Sequence, residues 1–304
     1  MPEFPDITVY IEALETRIVG QQIDDLRIQA PFLLRTVEPP IDRFTNAVVC
    51  RIERMGKRIV FAVGDTQKCP DRWIVLHLMI AGRLHWKPAK QKPPGKSALM
   101  VMTFADGFLY LTEAGSKRRA SLHLFDDPQA MAAANPGGLE VLENNFESFR
   151  TAFTHNNHTL KRALTDPHIL SGIGNAYSDE ILHRAGLSPI AMTQKLSEDE
   201  LQRLHQGICD SLLDWTQRLR AHYGDGFPEK VTAFRPDMAV HGKYGHPCPV
   251  CETPVQRIRY AKNETNYCPR CQTDGRVLAD RALSRLLKKD WPRTVEELEK
   301  KRGV

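Results

Sequence analysis

No stretch of the chain approaches the roughly 18 consecutive apolar residues that a membrane-spanning helix needs, which excludes helical spans. The first residues, Met-Pro-Glu-Phe-Pro-Asp, lack a basic start followed by an apolar block. No secretory leader is therefore expected, and the expected location is cytoplasmic. Internal repeats and low-complexity blocks are absent, which excludes solenoids and disordered tails of biased composition. Strand and helix signals do not alternate, which argues against a doubly wound parallel sheet. Cysteine is sparse, at seven in 304 residues, and Cys50, Cys69 and Cys209 are scattered. That usage suits a reducing compartment and not a disulfide scaffold. Neither sign of charge dominates, with 42 Lys and Arg against 37 Asp and Glu. With 41% hydrophobic and 26% charged residues, the chain reads as soluble and globular, with two domains as the starting expectation.

What is present is unevenly placed. Residues 241–304 carry 14 Lys and Arg and 8 Asp and Glu, a net +6 against +5 for the whole chain. The basic excess therefore sits at the C-terminal end, where it suits a phosphate backbone. The same end holds the strongest local pattern, Cys248-Pro-Val-Cys251 and Cys268-Pro-Arg-Cys271 separated by sixteen residues. Two CxxC knuckles at that spacing bring four thiolates to one tetrahedral Zn²⁺. Four protein ligands leave no position for a catalytic water, so the expected zinc is single and structural. Between the knuckles, Thr253–Tyr267 is rich in Val, Ile, Tyr and Thr with Lys262-Asn263-Glu264 at its middle, and it reads as a β-hairpin.

Upstream, Pro5-Asp6 opens a helix whose apolar positions Ile7, Ile11, Leu14 and Ile18 fall on one face, and Gly20 stops it. Strand-like segments follow at 22–28, 48–52, 58–63 and 73–80. The segments 98–104 and 108–112 flank the turn signal Asp106-Gly107. Residues 20–125 thus predict an antiparallel β-sandwich or barrel behind a leading helix. After the break at Asn135-Pro-Gly-Gly138 the pattern turns helical. One piece covers Leu160–Leu164, and the tight passage Gly172-Ile-Gly174 feeds a helix over Asn175–Ala185 that ends at Gly186. The capping box Ser197-Glu-Asp-Glu200 starts a further helix running towards Arg220. The fold class is α+β. The expected domains are a β-sandwich over 1–130, a helix-two-turns-helix domain over 139–238, a zinc hairpin over 241–273 and a basic tail over 274–304.

Pro2-Glu3 at the start, Gly56-Lys57 before a strand, Trp73-Ile-Val-Leu-His-Leu with Gly82, Gly172-Ile-Gly-Asn175-Ala-Tyr-Ser-Asp-Glu180 and the four cysteines stand in a fixed order. In that order the chain resembles the formamidopyrimidine-DNA glycosylase/endonuclease VIII family up to about Thr273. The resemblance implies a monomeric enzyme of base excision repair acting on damaged, oxidised bases in duplex DNA. Such an enzyme is a bifunctional glycosylase and AP lyase.

In such proteins the amine of Pro2, freed by loss of Met1, attacks the deoxyribose C1′. An α-amino group ordinarily titrates near 8, about two units below lysine, so more of it is nucleophilic at neutral pH. The resulting iminium draws electrons from C2′ and permits β- and δ-elimination. The resemblance makes Glu3 the general acid and base, and places Lys57 beside a phosphate of the damaged nucleotide. Asn175 is implied as a phosphate ligand at a helix start, and Met79 and Ile80 as the apolar wedge that fills the gap left by a flipped base. Arg118 and Arg119 are expected DNA contacts.

Two departures stand out. The family's hairpin arginine, five residues before the third cysteine, is here Asn263, which has neither charge nor guanidinium. Arg257, Arg259, Lys262 and Arg270 are the candidates to compensate. The loop that carries an aromatic wedge in the guanine-repairing branch reads Glu113-Ala-Gly-Ser-Lys-Arg-Arg-Ala120, which points away from 8-oxoguanine opposite cytosine and towards endonuclease VIII-like substrates. Two rival readings are a non-catalytic relative that binds damaged DNA and a zinc-finger regulator that binds nucleic acid.

Overall fold

In a computed structural model the described residues are all except 67–69, 93, 96, 115–116, 230, 232–233, 261–262, 281–283, 285, 287–290 and 303–304. They form two compact units. Unit 1 is Met1–Pro136 with Trp215–Ala233, and unit 2 is Gly137–Asp214 with Phe234–Val304. Among the described residues no helix is long and apolar enough to cross a membrane.

Unit 1 is the expected antiparallel sandwich with a leading helix. Helix α1 (Phe4–Ile18) is capped by Glu3. The Glu3 N–H donates to Asp6 Oδ2 at 3.0 Å, and the Glu3 carboxylate accepts from the Asp6 backbone N–H. Pro5 lies in its first turn, where the missing N–H leaves no orphan donor. Ile7, Ile11, Leu14 and Ile18 are all buried, as their spacing predicts. One four-stranded sheet has the order β1 (Asp25–Ile28), β6 (Met100–Phe104), β7 (Gly107–Glu113), β5 (Gly82–Pro88). The other has β2 (Val48–Met55), β3 (Arg58–Gly64), β4 (Arg72–His77), β8 (Ser121–Phe125), and every pairing is antiparallel. Phe61, Ile74, Met102 and Leu111 meet α1 residues in the core between the sheets. The outer faces of β3 and β4 are covered too, with Val60, Ala62 and Val75 packed beside Met131 of helix α2 (Pro128–Ala133). A strand buried on both faces loses polar alternation, which is why 59–63 and 73–76 read as continuous apolar runs.

The sequence pattern predicts one strand over 73–80 and none at 82–88. The chain instead turns after His77. Met79 takes φ +53°, and the Gly82 N–H closes on the Leu78 carbonyl at 2.9 Å. A Cβ on Gly82 would stand 2.3 Å from that carbonyl oxygen, so only glycine permits the turn. Apolar periodicity does not register such a reversal, because Leu78, Met79 and Ile80 continue the apolar run.

In unit 2, α3 (Phe146–Thr154), α4 (Leu160–Thr165) and α5 (Asn175–Ala185) contribute buried Phe149, Leu164, Tyr177 and Ile181 to the core. Helix α6 (Glu198–Tyr223) begins at the predicted capping box. Glu200 N–H donates to Ser197 Oγ at 3.3 Å, and Ser197 N–H donates to Glu200 Oε2 at 2.8 Å. Strands β9 (Gln256–Tyr260) and β10 (Asn263–Tyr267) make the zinc-hairpin ladder, followed by α7 (Pro269–Thr273). The tail is folded where described. Arg276 bridges Thr294, α8 covers Val295–Arg302, and Leu278 N–H donates to the buried Tyr267 hydroxyl at 2.7 Å.

Candidate functional site

Pro2 and Glu3 lie buried at the head of α1, Glu3 at 2% exposure. Because Glu3 is the N-cap, its carboxylate is fixed by the helix start and not by a flexible loop. Lys57 occupies the two-residue turn between β2 and β3, after Gly56 at φ +61°. A glycine at the first central position of such a turn matches the twist of the flanking strands, and this delivers Lys57 to a defined place. Burial pushes the Lys57 ammonium below the ordinary lysine value, with the Glu3 carboxylate pulling it back. The chain's terminal amine is likewise lowered, first by burial, against Glu3 and Asp6 and with help from Arg83 and Lys57. Amine, carboxylate and ammonium thus share one electrostatic neighbourhood.

Two members of that neighbourhood were missed in the sequence. Arg83 is the second residue of β5 and donates to the Gly82 carbonyl at 2.7 Å. His77 ends β4, and its Nε2 is buried with no hydrogen-bond partner among the described residues. Burial first, then Arg58, Lys57 and His123, push its imidazole down to about 4. The pairing of Arg58 with His77 across β3 and β4 sets His77 beside the Lys57 turn, and the reversal into β5 sets Arg83 within electrostatic reach of the amine.

Met79 is half-buried in its left-handed conformation, while Ile80 is 61% exposed at the tip of the same turn. The Arg118 and Arg119 side chains are exposed. Their loop is tied down by Glu113, whose Oε1 accepts the Arg119 and Ala120 N–H groups at 2.8 and 3.2 Å. Gly115 and Ser116 of this loop lie outside the described residues.

In unit 2, Asn175 is the first residue of α5, and the N-cap is Gly174. An N-cap role for Asn175 is thereby ruled out. Its Nδ2 donates to the Glu264 carbonyl of β10 at 3.0 Å. The motif after it has a role invisible to spacing rules. Asp179 is fully buried, accepting from Lys161 Nζ at 2.6 Å and bonding His241 Nδ1 at 2.7 Å. Glu180 accepts the N–H groups of Ala239, Val240 and His241 at 2.8–2.9 Å. These two carboxylates join α4, α5 and the 239–241 segment.

Asn263 is exposed, and β-alternation puts it on the same hairpin face as Thr265 and its partner Ile258. Arg257 and Arg259 stand on the opposite face. Both pair with Glu264 Oε2, at 3.3 and 3.2 Å. They do not replace the missing charge on the Asn263 face. Arg270 is exposed on α7, and Lys262 and Cys69 lie outside the described residues.

The Sγ atoms of Cys248, Cys251, Cys268 and Cys271 all lie within 4.8 Å of one another. Separations of 3.9 Å (Cys248–Cys271), 3.4 Å (Cys251–Cys268) and 3.4 Å (Cys251–Cys271) are close to the edge of a tetrahedron of thiolates about 2.3 Å from zinc, roughly 3.8 Å. Burial pushes the Cys268 thiol up to about 12 and Cys271 higher still. Neighbouring sulfurs crowded this closely resist joint ionisation unless a cation sits among them. His183 Nε2 lies 3.2 Å from Cys248 Sγ, a contact that orients this ligand. The donor set therefore fits one Zn²⁺.

Three family models match the chain: the formamidopyrimidine-DNA glycosylase N-terminal domain over 1–119, the formamidopyrimidine-DNA glycosylase H2TH domain over 138–217, and the zinc finger found in FPG and IleRS over 245–273. The chain belongs to the formamidopyrimidine-DNA glycosylase/endonuclease VIII family. It is 40% identical over 151 residues to an uncharacterised formamidopyrimidine-DNA glycosylase-like protein of Mycobacterium tuberculosis, covering 50% of this chain and 94% of that one. It is 29% identical over 278 residues to the formamidopyrimidine-DNA glycosylase of Geobacter sulfurreducens, covering 90% and 100%. Among solved structures, MutM in complex with DNA containing carbocyclic 8-oxo-G superposes with a TM-score of 0.77 at 26% identity, covering 90% of this chain and all of that one. Lactococcus lactis Fpg bound to DNA containing an oxidised pyrimidine gives 0.75 at 27%, with the same coverage. The family's H2TH model thus spans α3, α4, α5 and much of α6, and its zinc-finger model ends at Thr273, before the tail.

Proposed function

We propose that the chain is a DNA glycosylase that excises oxidised bases and then cleaves the abasic strand as an AP lyase. The carrying observation is the buried start of α1, where Glu3, Lys57 and Arg83 act electrostatically on the terminal amine. With Met1 removed, the Pro2 nitrogen is a secondary amine, and burial there favours its neutral, nucleophilic form. It attacks C1′ of the flipped nucleotide. The N-glycosidic bond breaks, the base leaves with the bonding pair and takes up a proton, and the sugar ring opens as Glu3 protonates its oxygen. The iminium then draws the electrons of the C2′–H bond. Loss of that proton forms a double bond and expels the 3′-phosphate, and a further elimination releases the 5′-phosphate.

Lys57, kept close by Glu3, offers a donor to a phosphate oxygen of the same nucleotide. Ile80, exposed at the tip of its turn, supplies an apolar wedge for the vacated stack together with the half-buried Met79. Arg118 and Arg119 project from a loop fixed by Glu113 and meet the backbone. Asn175 and Asn263 contribute amide contacts in unit 2. One structural Zn²⁺ on the four thiolates supplies no chemistry to the reaction and holds the hairpin's shape. The Gly115-Ser116 loop has no aromatic wedge, which favours endonuclease VIII-like lesions over 8-oxoguanine opposite cytosine.

Borohydride added during reaction with abasic duplex DNA tests the nucleophile. The expected product is a covalent protein–DNA adduct whose peptide map places the link at Pro2. An uncleaved N-terminal tag should abolish trapping and spare binding. An adduct on Lys57, or full activity with the amine blocked, would overturn the mechanism.

A further inference from the structure

Unit 2 contains an open cleft of about 730 Å³ between α4, the 189–192 segment and the Asn263 face of the hairpin, with Leu278 and Ala279 of the tail at one side. Asn175 and Asn263 both line it, so it includes the residues read above as backbone ligands. Among the described residues the hairpin brings no charge to this face, because Arg257 and Arg259 lie on the opposite one and share Glu264. Two cations enter the cleft from α4. Lys161 is committed, since its Nζ donates to Asp179 Oδ1 at 2.6 Å, to Ser178 Oγ at 2.7 Å and to the Asn175 carbonyl at 2.7 Å. Arg162 is different. It is exposed, lines the same cleft, and among the described residues its guanidinium has no hydrogen-bond or ion-pair partner.

Resting on the DNA-binding reading above, we infer that Arg162 is the guanidinium that grips a DNA phosphodiester in this cleft, opposite the uncharged Asn263. A guanidinium presents paired N–H donors that match two phosphate oxygens. The amides of Asn175 and Asn263 are neutral donors to the free lone pairs of the same two oxygens. Ile190, Met192 and Ile258 add apolar lining beside these polar groups. The charge has thus moved from the hairpin to α4, across the same opening.

The test measures affinity for lesion-bearing and undamaged duplexes over a series of salt concentrations. Melting temperature and bound zinc serve as controls of folding. Arg162→Ala should weaken both complexes about tenfold at low salt, as expected for one charge-assisted contact. It should also flatten the slope of log affinity against log salt by about 0.9, the value for one phosphate contact on duplex DNA. Arg162→Lys should keep the slope and lose only part of the affinity. Adding Asn263→Arg to Arg162→Ala should restore most of the affinity, because a cation is returned to the same cleft from its other wall. Wild-type affinity and slope in Arg162→Ala would overturn the inference and leave the DNA-binding reading standing. So would a loss of affinity with unchanged slope and a lowered melting temperature, which marks a structural role. If the wild-type protein itself bound DNA without salt dependence, the broader reading would fail instead.

Discussion

At neutral pH His77 is uncharged, because burial, then Arg58, Lys57 and His123, hold its imidazole down at about 4. In the unfolded chain it titrates near the ordinary 6.5. Between those values the unfolded state binds a proton that the folded state refuses, so stability falls as pH drops from about 6.5 to about 4. Above 6.5 neither state is protonated and the penalty vanishes. His77→Asn should therefore shrink the loss of urea-midpoint stability between pH 7 and pH 4.5 relative to wild type. Equal losses in the two proteins would show that His77 is not held neutral in the native state. The contrast with Glu3 is instructive. Glu3 was legible because it adjoins Pro2 and needs only the start of α1 to be placed. His77 and Arg83 were not, because cross-strand pairing sets the first beside Lys57 and a glycine-dependent reversal sets the second near the amine.

The zinc hairpin is the element whose existence depends on something beyond its own backbone. Its ladder is five pairs long, and a two-stranded ribbon of that size is marginal in water. The four thiols close its base, and the tail braces its flank. There the Asp280 carboxylate, 1% exposed, accepts the Arg259 N–H at 2.7 Å. Cys268→Ser removes a buried sulfur from the metal set and should lower bound zinc to a small fraction of one equivalent. Amide exchange should then accelerate across 245–273, while strands β3 and β4 of unit 1 keep their protection. Hydrogen-exchange mass spectrometry with elemental analysis reads both. Stoichiometric zinc in the variant, or protein purified without chelator that contains none, would contradict a four-cysteine site.

At the scale of the whole molecule, the net +6 of residues 241–304 suits the polyanionic partner proposed above. Basic groups bind phosphates by releasing counterions, so affinity for DNA of unrelated sequence should fall steeply as salt rises. Asn175→Ala should weaken lesion-bearing and undamaged duplexes by the same factor, a few-fold, because a phosphate ligand carries no base information. Competition binding with scrambled duplexes checks this. A loss confined to lesion DNA would place Asn175 at the damaged nucleotide instead.

The sequence by itself determined what depends on covalent order and short spacing. The four cysteines, the capping box at Ser197, the helix from Asn175 to its stop at Gly186, and the apolar face of α1 each follow from residues within a few turns or one knuckle. Local geometry allows no other arrangement there. The tertiary structure alone decided what depends on a chain reversal or on which face a residue meets. It made β5 a separate strand and turned Arg257 and Arg259 away from Asn263. It buried Asp179 under Lys161 and His241, and it left Arg162 unpartnered among the described residues of the cleft. Side-chain charge can be counted along a sequence. Its partner is set by packing between segments far apart in the chain, and the energy of a buried or free charge follows from that partner.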